Sequence, residues 1–318
     1  MGGKSTEKNK INLAELVKAH IDEVETSIQA VADDIGFSRT AVSLYLSGKY
    51  DSDAKELERK LTDYLERETG IRIDTGDDNG QIRKRYEFFD SNDALAILAI
   101  CKQCQQLRSL GIVIGRSGYG KTHTLRKFAA LDRKRVAYVE CDDTMGCADL
   151  VNSIAMALNM TLASGSIYSK VNAIRHYFNA NKGYLLIVDE ADKLVNKQTQ
   201  KKMEILRSII DQAQVGLIIA GEERLETNLR TYLNRMANRV DCFLCLKGLA
   251  GTEVDKYLSD FDVDEDALRE LKNRAIGANG CFRLFDRTMN AVIRLLNREG
   301  ETLITLKTVT EASDRMML

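Results

Sequence analysis

Gly115-Arg-Ser-Gly-Tyr-Gly-Lys-Thr122 fits the pattern G-x-x-x-x-G-K-[ST]. It lies where that pattern has to lie, directly after the apolar run Gly111-Ile-Val-Ile114 and directly before a helical stretch. Its glycines let successive backbone N–H groups wrap a phosphate at a helix N-terminus, where the helix dipole favours an anion. Lys121 is then expected to reach the β- and γ-phosphates of ATP, and the Thr122 hydroxyl to ligate Mg²⁺. The candidate contacts are Gly115, Ser117, Gly118, Tyr119, Gly120, Lys121, Thr122 and His123. A second signal is Leu185-Leu-Ile-Val-Asp189-Glu190, an apolar strand that ends in two carboxylates. Asp189 at the strand's carboxyl end can hold the magnesium, and Glu190 can polarise an attacking water. A kinase needs no second carboxylate there, because its acceptor supplies the nucleophile. The pair therefore points to hydrolysis of ATP.

Such residues need a scaffold that brings strand ends together. From about residue 86 the chain alternates helices with short apolar strands: Gly111–Ile114, then Val136-Ala-Tyr-Val-Glu140, Tyr184–Val188 and Val215–Ala220. Apolar runs without alternation, separated by helices, predict a parallel α/β sheet covered on both faces. Beyond Lys247 the pattern is helical again, over about 252–260, 265–277, 281–297 and 307–316.

Residues 11–68 predict an all-helical module. Asn12 and Glu15 open its first helix by capping logic. The segment Ile28–Ser47 carries Ala32, Gly36 and Val42 at its fifth, ninth and fifteenth positions, with Val31, Ile35, Phe37 and Tyr45 at the other buried places. It resembles the helix-turn-helix of phage-repressor type: the small Ala lets two helices cross, the Gly takes the left-handed turn, and Ser38 caps the second helix. Arg39, Thr40 and Ser43 would then face a DNA major groove. A three-helix module without a DNA role is the alternative. The polar, glycine-bearing stretch 69–85 predicts a linker. The expected division is thus 1–68 helix-turn-helix, 69–85 linker, 86–247 α/β domain and 248–318 C-terminal helical lid.

Lys and Arg total 46 against 47 Asp and Glu, so no global basic field exists to hold nucleic acid without specific assembly. The longest apolar run, Ala94–Cys101, is far short of the roughly 18 residues that span a bilayer. With no apolar stretch at the N-terminus, the chain reads as cytoplasmic. It contains no proline, so helix and strand breaks fall to Gly, Asn, Asp and Ser. Seven irregularly spaced cysteines predict buried thiols and no disulfide framework. Cys242 and Cys245, three apart on a strand, face opposite sides and cannot share one metal ion.

The phosphate loop and Asp189-Glu190 together resemble an AAA+ ATPase. That resemblance implies a polar residue contacting the γ-phosphate after the next strand, where this chain has Glu222. It implies an arginine finger in the zone of Arg235 and Arg239, and a further nucleotide contact at Arg283 in Gly280-Cys-Phe-Arg-Leu. More narrowly, the chain is similar to the target-DNA-capture ATPases of transposons. This rests on the N-terminal module, Phe88-Phe89, Val188-Asp-Glu-Ala-Asp192, Gly216–Arg224, Arg235/Arg239 and Gly280–Arg283, and it covers nearly the whole chain. Ser117, where a Pro is usual, and Glu222 are its departures. What the resemblance implies is an ATP-dependent protein of a bacterial host cell that assembles on double-stranded DNA as a filament or ring and serves a DDE transposase. DNA contacts are expected at the loop Asp142–Cys147 or on one helix face bearing Lys193, Lys197, Lys201 and Lys202. A replication initiator or helicase loader, and a repressor that senses nucleotide, stay open as alternatives.

Overall fold

The structure, a computed structural model, describes residues 13–24, 26–50, 54–69, 82–84, 88–194, 201–225 and 240–314. It divides into two compact units. One holds residues 1–89 with 260–262 and 292–304; the other holds 90–259, 263–291 and 305–318.

In the first unit, α1 (Leu13–Glu23), α2 (Ile28–Ile35), α3 (Arg39–Leu46) and α4 (Lys55–Thr69) enclose one core. Val17, Val31, Ala32, Val42 and Leu61 are fully buried within it. The turn between α2 and α3 forms as its residue types dictate. Gly36 sits at φ +73°, and Ser38 Oγ accepts the Ala41 amide at 3.2 Å. Arg39, Thr40 and Ser43 are exposed on α3. The predicted cap Asn12 lies outside the described residues, as does most of the 69–85 stretch. Within that stretch Ile82 exchanges two backbone hydrogen bonds, at 2.6 and 2.8 Å, with the Asn297 side chain.

The second unit is built on a five-stranded, wholly parallel sheet in the order β2-β3-β4-β1-β5. The strands are β1 (Leu110–Ile114), β2 (Val136–Glu140), β3 (Leu185–Asp189), β4 (Gly216–Gly221) and β5 (Val240–Cys245). β1, β3 and β4 are buried at every position, as expected of strands covered on both faces. Ile112, Ile114, Val188 and Ile219 face a core closed by α7 (Cys147–Ala157), α8 (Ile167–Ala180) and α9 (Lys201–Gln212). Val113, Ile187 and Ile218 face the opposite core, closed by α5 (Asn92–Leu107) and α6 (Lys121–Leu131). β5 departs from the unbroken-apolar expectation. It alternates half-buried and exposed residues because it is an edge strand.

The C-terminal helices are α10 (Gly251–Leu258), α11 (Glu265–Ile276), α12 (Phe282–Glu299) and α13 (Leu306–Asp314), with a two-stranded β6 (Asp262–Val263) and β7 (Leu303–Ile304). All seven cysteines are free thiols, and Cys101, Cys104 and Cys141 are buried. Among the described residues no helix is long and apolar enough to cross a membrane.

Candidate active site

All five strands point the same way, so the carboxyl ends of β1, β3 and β4 open onto one edge of the sheet, the usual place for a ligand in a parallel α/β fold. β1 runs into the glycine loop, and α6 begins at Lys121. Gly118 and Gly120 take φ +83° and +89°, left-handed values that side chains disfavour, and so lead the backbone round into the helix. The first turn of α6 carries no acidic residue, so its N-terminal dipole is left uncompensated for an anion. Thr122 is half-buried and His123 exposed on that turn.

Lys121 is only 6% exposed. Its Nζ donates to Gly115 O at 2.6 Å and to Arg116 O at 3.1 Å. Burial pushes its pKa down, opposed by the carboxylates of Glu222, Asp189, Glu190 and Asp192. Its two hydrogen bonds go to neutral backbone carbonyls, which phosphate oxygens can replace.

The other side of the loop is met by α12. Arg283 N donates to Gly118 O at 3.0 Å, and Arg283 Nη1 donates to Ser117 Oγ at 3.3 Å. The structure thus brings Arg283 to the loop that the sequence reading assigned to it. Tyr119 packs under Gly248, with the Arg116 guanidinium 5.9 Å from its ring centroid.

At the end of β3, Asp189 is fully buried. Its Oδ2 accepts the Tyr138 hydroxyl at 2.9 Å and its Oδ1 accepts the Glu190 amide at 2.9 Å. Burial first, and then the charge of Asp189, raise the Tyr138 pKa, so this phenol stays a proton donor. Glu190 adopts φ +55°, a left-handed conformation that residues with a side chain take only uncommonly. Its carboxylate lies 3.5 Å from Lys193 Nζ.

β4 is inserted between β1 and β3, and this sets Gly221 and Glu222 between the two motifs. Gly115 N donates to Gly221 O at 3.3 Å. Asp192, whose side chain is fully buried, accepts the Glu222 amide at 3.1 Å and Arg224 Nε at 2.7 Å. Sequence reasoning assigned no role to Tyr138, Asp192 or Arg224. A polar residue inside the buried run of β2 was the available signal for Tyr138. Asp192 stood inside a quoted motif with nothing to say that it faces β4.

One expectation fails. Lys193 and Lys201 do not share a helix. Lys193 lies on a single 3₁₀ turn (Ala191–Leu194), whereas α9 begins at Lys201. The turn is tied down by Lys193 N donating to Glu190 O at 3.0 Å and by the buried Asp192, and residues 195–200 lie outside the described residues. Lys202 Nζ donates to Met145 O at 3.0 Å, linking α9 to the loop after β2. In that loop Asp142 Oδ1 accepts the Thr144 amide and hydroxyl at 2.8 and 2.6 Å, which lowers the Asp142 pKa. Lys197, Arg235 and Arg239 lie outside the described residues.

Comparison with known proteins bears on this arrangement. A sequence profile described as the AAA domain matches residues 104–229, the segment holding both motifs and β4. That segment is an AAA-type ATPase domain. The chain is 25% identical over 223 residues to the Mu-like prophage FluMu DNA transposition protein B of Haemophilus influenzae, covering 69% of this chain and 72% of that protein. It is 19% identical over 286 residues to the ATP-dependent target DNA activator B of Escherichia phage Mu, covering 88% of each. The AAA fold is shared with the Aeropyrum pernix ORC2 protein at a TM-score of 0.55 and 15% identity, over 75% of this chain and 70% of that one. It is shared also with Cdc6p of Pyrobaculum aerophilum at 0.54 and 15%, over 73% and 69%.

Proposed function

We propose that this ATPase is an ATP-dependent target-DNA activator of DNA transposition. In this reading it polymerises on double-stranded target DNA in its ATP form, recruits and stimulates a DDE transposase, and leaves when ATP is hydrolysed. The observation that carries the proposal is the reach of the likeness to the phage Mu activator. It extends over 286 residues, whereas the AAA match takes in only 104–229, so the helical parts on either side share in it.

The chemistry follows from the residues described. The loop amides and Lys121 bind the phosphates, with Arg283 and Ser117 on the far side of the loop. Glu190 accepts a proton from the attacking water. Among the described residues no cluster of three His, Cys, Asp or Glu could hold a metal, so Mg²⁺ would be shared between Thr122, Asp189 and the nucleotide's own phosphates. Asp189 suits such an ion: its carboxylate is dry, takes one hydrogen bond on each oxygen and keeps a lone pair on each. Bound there, Mg²⁺ would neutralise charge building on the phosphates.

A chain with near-equal numbers of acidic and basic residues binds DNA weakly one copy at a time, so useful affinity calls for many linked subunits. The division 1–68, 69–85, 86–247 and 248–318 is retained as the domain plan. Arg39, Thr40 and Ser43 are proposed as DNA contacts of the N-terminal module, and Lys197, Lys201 and Lys202 as those of the ATPase. Electron microscopy of the protein with DNA and a non-hydrolysable ATP analogue tests the proposal. Long helical filaments are expected; closed rings or short spirals would favour an initiator or loader instead.

A further inference from the structure

Glu222 puts a carboxylate where a phosphate is expected to bind. Because β4 is hydrogen-bonded between β1 and β3, the residue after Gly221 emerges between the Lys121 loop and Asp189. Its backbone is held on both sides. Glu222 N donates to Asp192 Oδ1 at 3.1 Å, its carbonyl accepts Leu225 N at 2.8 Å, and Gly221 O accepts Gly115 N at 3.3 Å. Asp192 is itself fixed by Arg224 Nε at 2.7 Å. The approach is close enough that a Cβ on Gly221 would stand 2.6 Å from Asp192 Oδ1. The backbone of Glu222 is therefore fixed beside the loop, with its side chain half-buried. Of the four carboxylates whose field reaches the buried Lys121 ammonium, it acts most strongly, ahead of Asp189, Glu190 and Asp192.

We infer that Glu222 is a specificity-determining residue that disfavours ATP relative to ADP, because its carboxylate, carried on a backbone held between the loop and Asp189, competes with the terminal phosphate for the charge of Lys121. The inference rests on the proposed nucleotide site. ATP carries about one more negative charge than ADP, and that charge lies on the phosphate farthest along the loop, towards Lys121. An anion in a partly buried site acts on this added charge with less screening than in water. An isolated subunit then favours ADP over ATP more than it would with a neutral residue at 222. ATP occupancy comes to depend on energy supplied from elsewhere, such as assembly on DNA. The departure from a neutral polar residue at this position thus gives the site a bias toward release.

The test is titration of the full chain with ADP and with a non-hydrolysable ATP analogue, both with Mg²⁺, in wild type, Glu222→Gln and Glu222→Asp. Glu222→Gln keeps shape and removes charge. It should tighten the ATP analogue about tenfold and change ADP less than about threefold. Glu222→Asp keeps the charge and should stay near the wild-type ratio; Glu222→Asn serves as a second neutral variant should Glu222→Gln fold poorly. An unchanged ratio of the two affinities in the neutral variants, or weaker binding of the ATP analogue, would overturn the inference while leaving the nucleotide site intact. Failure of the wild type to bind either nucleotide would overturn both.

Discussion

Lys121 and Glu190 make separable predictions because they act on different stages. Lys121 is the one buried cation whose hydrogen bonds go to the loop's own carbonyls, and it would exchange them for phosphate oxygens. Lys121→Ala should weaken nucleotide binding by about a hundredfold or more, measured by titration with a fluorescent ATP analogue. Glu190→Gln should leave binding near wild type and slow hydrolysis by on the order of 10²- to 10⁴-fold, trapping the DNA-bound form. Wild-type turnover in Glu190→Gln would remove it as the base. Both residues were legible in the sequence, since a phosphate loop and a strand-end Asp-Glu pair are local patterns with local chemistry. The partners of those residues were not. Tyr138 reaches Asp189 across two strands 51 residues apart, and Asp192 reaches Arg224 from the end of β3 to beyond β4. Nothing in spacing along the chain encodes such a meeting, because strand order is set by packing.

At the scale of elements, the short turn after β3 decides what the basic residues can do. It holds Lys193 against Glu190, while Lys201 and Lys202 ride on α9. A reading by helical period put all of them on one face; the 3₁₀ turn breaks that period, so Lys193 is spent on the active-site carboxylate. The DNA role is accordingly strongest for Lys201 and Lys202. Reversing both charges should weaken DNA binding and lower the slope of log affinity against log salt by about 1 to 2. A salt slope equal to that of wild type would take α9 out of the interface. Gly221 is a second element-scale control. Gly221→Ala would drive a methyl group into Asp192 Oδ1 and within 2.9 Å of Leu225, and should destabilise the α/β unit by about 1–3 kcal/mol in thermal unfolding. The pair of helices α2 and α3 needed no such correction. Ala32, Gly36, Ser38 and Val42 take the buried, turning and capping places that their side chains suit.

For the whole molecule, the proposed assembly on DNA turns on how one subunit would meet the next. Arg235 and Arg239 follow β4 and precede β5, in a part of the chain outside the described residues, and the finger role proposed for them is one that acts between subunits. Arg235→Ala should leave ATP binding by single subunits nearly intact while reducing DNA-stimulated hydrolysis and filament length. Arg239 is the substitute if Arg235 proves silent. Mixing Arg235→Ala with Lys121→Ala protein on DNA should restore partial activity, because some junctions then combine an intact finger with an intact loop. Mixed filaments that remain inactive at every ratio would exclude action across subunits. The sheet class was legible from unbroken apolar strands. The placement of β4 between β1 and β3 was not, because a strand's neighbours depend on which crossovers pack best and not on its own residues.

The hydrogen bond from Arg283 N to Gly118 O has one more consequence. A single peptide amide, 165 residues along from its acceptor, is shielded only while the glycine loop keeps its shape. Its exchange with deuterium is then a clock for loop opening. If nucleotide stiffens the loop, the Arg283 proton should outlast those of its exposed helical neighbours, and its lifetime should lengthen with occupancy of the site. Hydrogen exchange followed by mass spectrometry on a peptide spanning the start of α12 would read the state of a phosphate site that lies far away in the sequence.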